Sequence, residues 1–97
     1  MRKLSRRDLA PLTSAQIRAA RALLRWSAED LGRATALGIA TIRRAETTDQ
    51  HTSLTAANDW AIRHALEAAG VVFIAENGGG VGVRLRGAAP NKKTVAD

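Results

Sequence analysis

Two helix-start signals lie close together in the first third of the chain. Thr13 is followed three residues later by Gln16. Ser27 is followed at the same spacing by Asp30. A hydroxyl residue with a side-chain acceptor three positions further on is the pattern of a capping box, in which each side chain satisfies a backbone N–H of the other residue. The first helix therefore ends before the second one starts, and the chain folds into short helices.

Apolar residues recur at helical spacing after each start signal and again later in the chain, which indicates four helices. The predicted ranges are 14–25, 28–35, 39–46 and 55–69. Only Ala36, Leu37 and Gly38 separate the second helix from the third. Gly32 is small where these two backbones are expected to come closest. Two helices joined by so short a turn have the geometry that lets the second helix enter the major groove of DNA.

The apolar pattern changes from helical spacing to alternation in residues 71–86. Asn77 and Gly78 stand between the two alternating runs, and this dipeptide is the preferred turn of a two-residue hairpin. The pattern therefore predicts a β-hairpin with one wholly apolar face. The cross-strand pairs that follow from this turn are Ile74 with Val81, Val72 with Val83, Phe73 with Gly82 and Val71 with Arg84.

Positive charge is concentrated at the start of the chain. The 97 residues form one small domain, and 15 Lys and Arg against 9 Asp and Glu give a formal net charge of +6, which favours an anionic partner. Residues 1–12 hold half of that net charge, and their basic side chains are Arg2, Lys3, Arg6 and Arg7. This segment is either a solubilising tail or a flexible arm that adds phosphate or minor-groove contacts to a DNA-binding body. Residues 87–97 are predicted to be a disordered end.

Composition excludes several kinds of site. The chain has no cysteine, which excludes a disulfide framework, a thiolate zinc site and a thiol nucleophile. Its two histidines, His51 and His64, form no recognisable arrangement with a nucleophile or a carboxylate, so we expect no metal, no cofactor and no enzyme activity. No stretch is long or apolar enough to span a bilayer, and we expect the protein in the cytoplasm, with no membrane partner.

Residues 18–27 (RAARALLRWS) and 31–46 (LGRATALGIATIRRAE) resemble the Cro/cI-type helix-turn-helix family of bacterial and phage regulators. The resemblance covers about residues 13–70. The end of the chain, residues 68–80 (AAGVVFIAENGGG) followed by 83–86 (VRLR), is similar to that of a subgroup of small stand-alone bacterial regulators in this family.

The resemblance implies a mainly α fold. It consists of a Cro/cI-like DNA-binding bundle of four to five helices over residues 13–70, followed by a two-stranded β-hairpin over residues 71–86 that is a candidate dimerisation element. The resemblance also implies that Arg21 pairs with Glu46 across the first and third helices, and this role is structural.

The family places its third helix in the major groove of DNA. Carried over to this chain, that pattern makes Ile39, Ala40 and Arg44 the base-facing positions, with Thr41 and Arg43 beside them. Arginine forks onto guanine, small apolar side chains touch thymine methyls, and threonine holds a phosphate. Without the resemblance, the two arginines are read equally well as the solvated end of a helix.

The chain departs from the family pattern in its phosphate anchors and in its turn. Where many relatives have Gln after the serine cap of the second helix, this chain has Ala28, which leaves backbone N–H groups and the helix dipole for a phosphate. Ala36 replaces the usual turn glycine; a left-handed alanine costs roughly 1–2 kcal/mol, so either the turn is strained or Gly38 takes up the bend. Gly38 also replaces the usual Ser or Thr cap of the third helix. The loop over residues 47–52 contains Asp49 and no Lys or Arg.

These features together predict a DNA-binding transcriptional regulator. We expect a repressor that binds a short operator in double-stranded DNA as a homodimer, assembled through the hairpin, Trp60 or both. The alternative is a protein-binding module of the same fold, an antitoxin or antiactivator that masks a partner protein. Three features favour this alternative: the nearly neutral body, the missing glutamine and the loop without basic residues.

Overall fold

A computed structural model describes residues 10–48 and 51–87. These parts of the chain form four helices followed by one antiparallel hairpin. The elements are α1 (Ser14–Leu24), α2 (Ala28–Thr35), α3 (Ile39–Thr47), α4 (Ala56–Ala68), β1 (Val71–Ile74) and β2 (Gly82–Leu85). The predicted helices are confirmed, with ends that differ by one residue at most. None of the four helices has the length and apolarity needed to cross a membrane.

Both predicted capping boxes are formed. The Thr13 amide donates to Gln16 Oε1 at 3.0 Å, and the Gln16 amide donates to Thr13 Oγ1 at 3.1 Å. At the start of α2, the Ser27 amide donates to Asp30 Oδ2 at 2.8 Å, and the Asp30 amide donates to Ser27 Oγ at 3.0 Å. Local hydrogen bonds therefore cap the starts of both α1 and α2.

One apolar core joins all four helices and the first strand. Helix α1 packs on α3 and on both strands, while α2 packs on α3 and α4. The fully buried apolar side chains are Leu12, Ile17, Ala20, Leu31, Ile42, Ala45, Ile62, Leu66 and Val71. Because the core uses every helix, the orientation of α3 is set by the whole fold and not by α2 alone.

The segment before α1 is attached to α4. The Leu12 amide donates to Asp59 Oδ1 at 2.9 Å. Arg63 Nη2 donates to the Ala10 carbonyl oxygen at 2.6 Å, and its guanidinium lies 5.6 Å from the centre of the Phe73 ring. Arg63 is only 7% exposed, so its long side chain fills space as well as donating a hydrogen bond. Residues 10–12 are therefore part of the folded body.

The hairpin forms, but its register differs by one residue from the predicted one. Val71 lies opposite Leu85, Phe73 opposite Val83 and Ile74 opposite Gly82. The predicted pairs, Ile74 with Val81, Val72 with Val83, Phe73 with Gly82 and Val71 with Arg84, are wrong. The prediction assumed a two-residue turn at Asn77 and Gly78, whereas residues 75–81 all lie outside the strands.

Two side chains that lie outside the strands, those of Glu76 and Gln16, account for this register. The Glu76 carboxylate accepts from the amides of Gly78 at 2.9 Å and Gly80 at 3.1 Å, and this organises a wider loop. Gln16, whose Oε1 caps α1, donates through Nε2 to the Gly82 carbonyl oxygen at 3.1 Å and thereby fixes the end of the hairpin on the helix. Phe73 and Val83 then pack against the core together.

Gln16→Glu separates the two roles of this side chain. The carboxylate still accepts from the Thr13 amide, but it has no proton to donate to the Gly82 carbonyl oxygen. We expect the free energy of unfolding to fall by about 1–2 kcal/mol. Hydrogen exchange is expected to show faster exchange of the β1 and β2 amides, with little change at the start of α1.

Thr13→Ala is the matched control, because it removes the cap and keeps the hairpin contact. It is expected to speed exchange in the first turn of α1 and to leave the strands protected. Equal loss of protection in both regions of the Gln16→Glu variant would contradict the separate roles.

Candidate nucleic-acid interface

The turn between α2 and α3 contains a left-handed alanine. Ala36 has φ 61° and ψ 19°, whereas Gly38 is extended, with φ −68° and ψ 148°. Ala36 therefore takes up the bend, and the glycine does not. The Leu37 amide donates to Thr35 Oγ1 at 3.2 Å, which satisfies one amide within the turn.

The turn between α2 and α3 approaches α2 closely at Gly32. A Cβ atom built on Gly32 would lie 3.3 Å from the carbonyl oxygen of Leu37, tighter than an ordinary contact. The small residue predicted for a close approach thus lies against the backbone of the turn, and a larger side chain at this position would require Leu37 to shift by a few tenths of an ångström.

Ala36→Gly is expected to raise the free energy of unfolding by about 1 kcal/mol, because glycine adopts positive φ without the steric cost that alanine bears. Chemical denaturation followed by tryptophan fluorescence measures this change. Gly38→Ala is the matched control: Gly38 has a φ that alanine adopts readily, and an added Cβ meets no atom within 4 Å. An unchanged or lower stability of Ala36→Gly would show that the turn is not strained.

Helix α3 presents one buried face and one exposed face. Ile42, Ala45 and Glu46 are buried. The predicted base-facing and neighbouring residues lie on the other side: Ile39, Ala40, Arg43 and Arg44 are exposed and Thr41 is half-buried. Gly38 is exposed at the start of α3, and Ala28 is half-buried at the start of α2. The structure thus brings the predicted α3 residues together on one accessible surface, which we call the α3 face.

A charged pair fixes α3 against α1. Arg21 Nε donates to Glu46 Oε2 at 2.6 Å, and Arg21 Nη2 donates to Glu46 Oε1 at 2.8 Å. This is the pair that the resemblance implies. Arg21 also donates to the Trp26 carbonyl oxygen at 2.8 Å, and Arg18 donates to the Glu46 carbonyl oxygen. The hydrogen bond to Glu46 raises the pKa of Arg21, although burial acts in the opposite direction.

The two arginines of the α3 face differ in their partners. Arg43 Nη2 lies 3.1 Å from Oε2 of Glu29, which stands in the first turn of α2. Arg44 forms no ion pair with any residue in the parts of the chain that the structure describes. Sequence reasoning missed Glu29, because its partner lies on another helix and no local spacing links the two residues.

A polar groove lies between α3 and the start of α4. Its volume is about 230 Å³. The residues that line it are Thr41, Arg44, Ala45, Thr52, Ser53, Leu54, Thr55 and Asn58. Hydroxyl and amide side chains beside an exposed arginine suit an anionic ligand. The groove extends the polar surface of α3 toward α4.

Some of the predicted site lies outside the described residues. The basic arm residues Arg2, Lys3, Arg6 and Arg7 belong to this part of the chain, and so does Asp49 in the loop after α3. No protein-family model matches the chain, and no curated protein is similar enough to it to count as a relative.

Proposed function

We propose that this protein is a sequence-specific DNA-binding transcriptional regulator, a cytoplasmic repressor that binds a short operator as a dimer. The observation that carries the proposal is the α3 face: an exposed helix surface with two adjacent arginines, whose opposite side is locked into the core. A rigid, exposed helix reached through a short turn fits the major groove of B-DNA, which is wide enough to admit one α-helix.

Each exposed position has a chemical role in this proposal. Arg43 and Arg44 donate to guanine O6 and N7, and each good bidentate contact of this kind is worth about 1–3 kcal/mol of discrimination. Ile39 and Ala40 contact thymine methyl groups, and Thr41 holds a phosphate. Ile39 is 37% exposed at the start of α3, so its side chain is accessible for apolar contact with a base edge.

Phosphate contacts supply the rest of the affinity. Backbone amides at Ala28 and Gly38 lie at the starts of α2 and α3, where the helix dipole favours an anion. The hydroxyl groups of the groove lie beside Arg44. The proposal adds Arg2, Lys3, Arg6 and Arg7 as auxiliary contacts from the basic arm.

The proposal includes a dimer because two reading helices recognise more base pairs than one. The exposed apolar residues Val81 and Leu85 lie on or beside β2, and Trp60 is half-buried on α4, where its ring stacks on His64 at 6.1 Å between centroids. These residues are the candidates for the contact between protomers.

The test is binding of the purified protein to the DNA upstream of its own gene. Fluorescence anisotropy with that duplex and with a shuffled duplex of the same composition, each at 50 and 200 mM salt, measures preference and salt dependence. We expect saturable binding that prefers the upstream duplex and weakens steeply with salt. Equal binding to both duplexes at both salt concentrations would contradict the proposal.

The second candidate is a protein-binding module that masks another protein. It is favoured by the acidic first turn of α2, where Glu29 pairs with Arg43 and Asp30 pairs with Arg33, so that part of the positive charge near α3 is neutralised internally. Failure to prefer the upstream duplex, combined with a salt-insensitive complex with a protein encoded beside this gene, would support this candidate instead.

A further inference from the structure

The contact between Glu29 and Arg43 joins two helices that face the same ligand in the proposed function. It is a single contact of 3.1 Å between Arg43 Nη2 and Glu29 Oε2, not a bidentate pair. The side chains are 64% and 53% exposed for Arg43 and Glu29, respectively. Exposed pairs of this kind are weak, so a bidentate acceptor within reach of Arg43 displaces Glu29 more readily than a single-point contact does.

The carboxylate has a second support at the start of α2. A hydrogen bond from its own backbone amide is the largest cause that lowers the pKa of Glu29, and the charge of Arg43 adds to this effect. Glu29 therefore stays ionised at neutral pH, and the start of α2 favours its negative charge whether or not Arg43 contacts it. Arg43, by contrast, loses its only ion-pair partner in the described part of the chain when it turns toward another anion.

We propose that Glu29 is a specificity-determining residue that competes with DNA for Arg43. This inference rests on the proposed function. On a duplex of the wrong sequence, Arg43 stays with Glu29 and neutralises no phosphate. On the preferred sequence, a guanine offers Arg43 a bidentate contact that replaces the single contact with Glu29. Glu29 thus lowers non-specific affinity more than specific affinity.

The neighbouring arginine provides the internal comparison. Arg44 forms no ion pair among residues 10–48 and 51–87, so nothing on the described surface competes with DNA for its charge. Besides its contact with a base, Arg44 is therefore expected to contribute to the binding of any duplex, whereas Arg43 contributes only where a base contact displaces Glu29. Adjacent residues of the same type are thereby assigned different roles.

The experiment measures binding to a random-sequence duplex and to the upstream duplex over a salt series. The proteins are the native chain, Glu29→Gln, Arg43→Gln, Arg44→Gln, and the two double variants that combine Glu29→Gln with each arginine variant. Glutamine keeps the size of glutamate and still accepts a backbone hydrogen bond, so the start of α2 is retained. We expect Glu29→Gln to bind several-fold more tightly. The slope of log K against log salt is expected to steepen by about 0.9, the contribution of one additional neutralised phosphate.

The double variants distinguish competition between Glu29 and DNA for Arg43 from general repulsion between Glu29 and the phosphates. If Glu29 acts through Arg43, the gain from Glu29→Gln disappears when Arg43 is already glutamine, and it persists in full when Arg44→Gln is the background. Equal gains in the Arg43→Gln and Arg44→Gln backgrounds, or an unchanged salt slope, would overturn the inference. Thermal melts of all variants check that the fold is retained.

The inference and the proposed function fail in different ways. If the native protein prefers its upstream duplex but Glu29→Gln leaves the slope for random DNA unchanged, only the role of Glu29 is overturned. If the native protein shows no salt-dependent binding to either duplex, both are overturned. A fall in the preference for the upstream duplex in Glu29→Gln, with tighter binding to random DNA, is the combination that supports both.

Discussion

Arg21→Leu is expected to lower the free energy of unfolding by about 2–4 kcal/mol, because it leaves the buried Glu46 carboxylate without its cation. Glu46 is only 7% exposed, so water does little to replace the two hydrogen bonds that Arg21 donates. Small domains are stable by about 5–15 kcal/mol, and the loss is therefore a large share of the total. Urea denaturation followed by tryptophan fluorescence measures it, and Trp26 lies beside the pair.

The double variant Arg21→Leu with Glu46→Leu tests the physical reason. Each single variant leaves one charge unpaired, whereas the double variant leaves none. The double variant is therefore expected to lose less free energy of unfolding than the sum of the two single losses, by at least about 1 kcal/mol. Strictly additive losses would show that the pair acts by side-chain packing and not by charge compensation.

Arg43→Ala combined with Arg44→Ala is expected to reduce the preference for the upstream duplex over the shuffled duplex by about 1–3 kcal/mol, roughly 5- to 150-fold in affinity ratio. The two arginines carry the hydrogen-bonding capacity of the α3 face, while the apolar side chains beside them offer only contacts with methyl groups. Anisotropy titrations of both duplexes at one salt concentration give the ratio.

Arg84→Ala is a control for the loss of positive charge away from α3. Arg84 is an exposed arginine on β2, a strand that packs on α1. Its loss removes one positive charge from the protein without touching α3, so the affinity ratio is expected to stay within about twofold of the native value. An equal loss of preference in the control would mean that overall charge, and not the α3 face, selects the duplex.

The helices were predictable from sequence because their starts depend on neighbouring residues. Thr13 and Ser27 find their capping partners three residues away, and the structure shows both boxes. The hairpin register was not predictable in the same way. It depends on Gln16, which lies 66 residues before Gly82, and on Glu76, which captures two loop amides in place of a tight turn.

In the candidate site, too, local features were predictable from the sequence and contacts between helices were not. Helical periodicity places Ile42 and Ala45 on the buried side of α3 and thereby puts the arginines outside, as the structure has them. The link between Arg43 and Glu29 spans two helices and depends on their crossing angle, which no local spacing encodes. The burial of Arg63 was not predicted either, because its hydrogen-bond partner, the carbonyl oxygen of Ala10, is 53 residues away in the sequence.

The attachment of residues 10–12 to α4 has a consequence for the shortest autonomous folding unit. A fragment that starts at Thr13 keeps the first capping box but loses Leu12 from the core, and it leaves Arg63 without the Ala10 carbonyl oxygen. The folding unit therefore begins before its first helix, at Ala10 or earlier. Truncation from the N-terminus therefore removes a contact of the folded body once Ala10 is lost, three residues before Thr13, where the capping box begins.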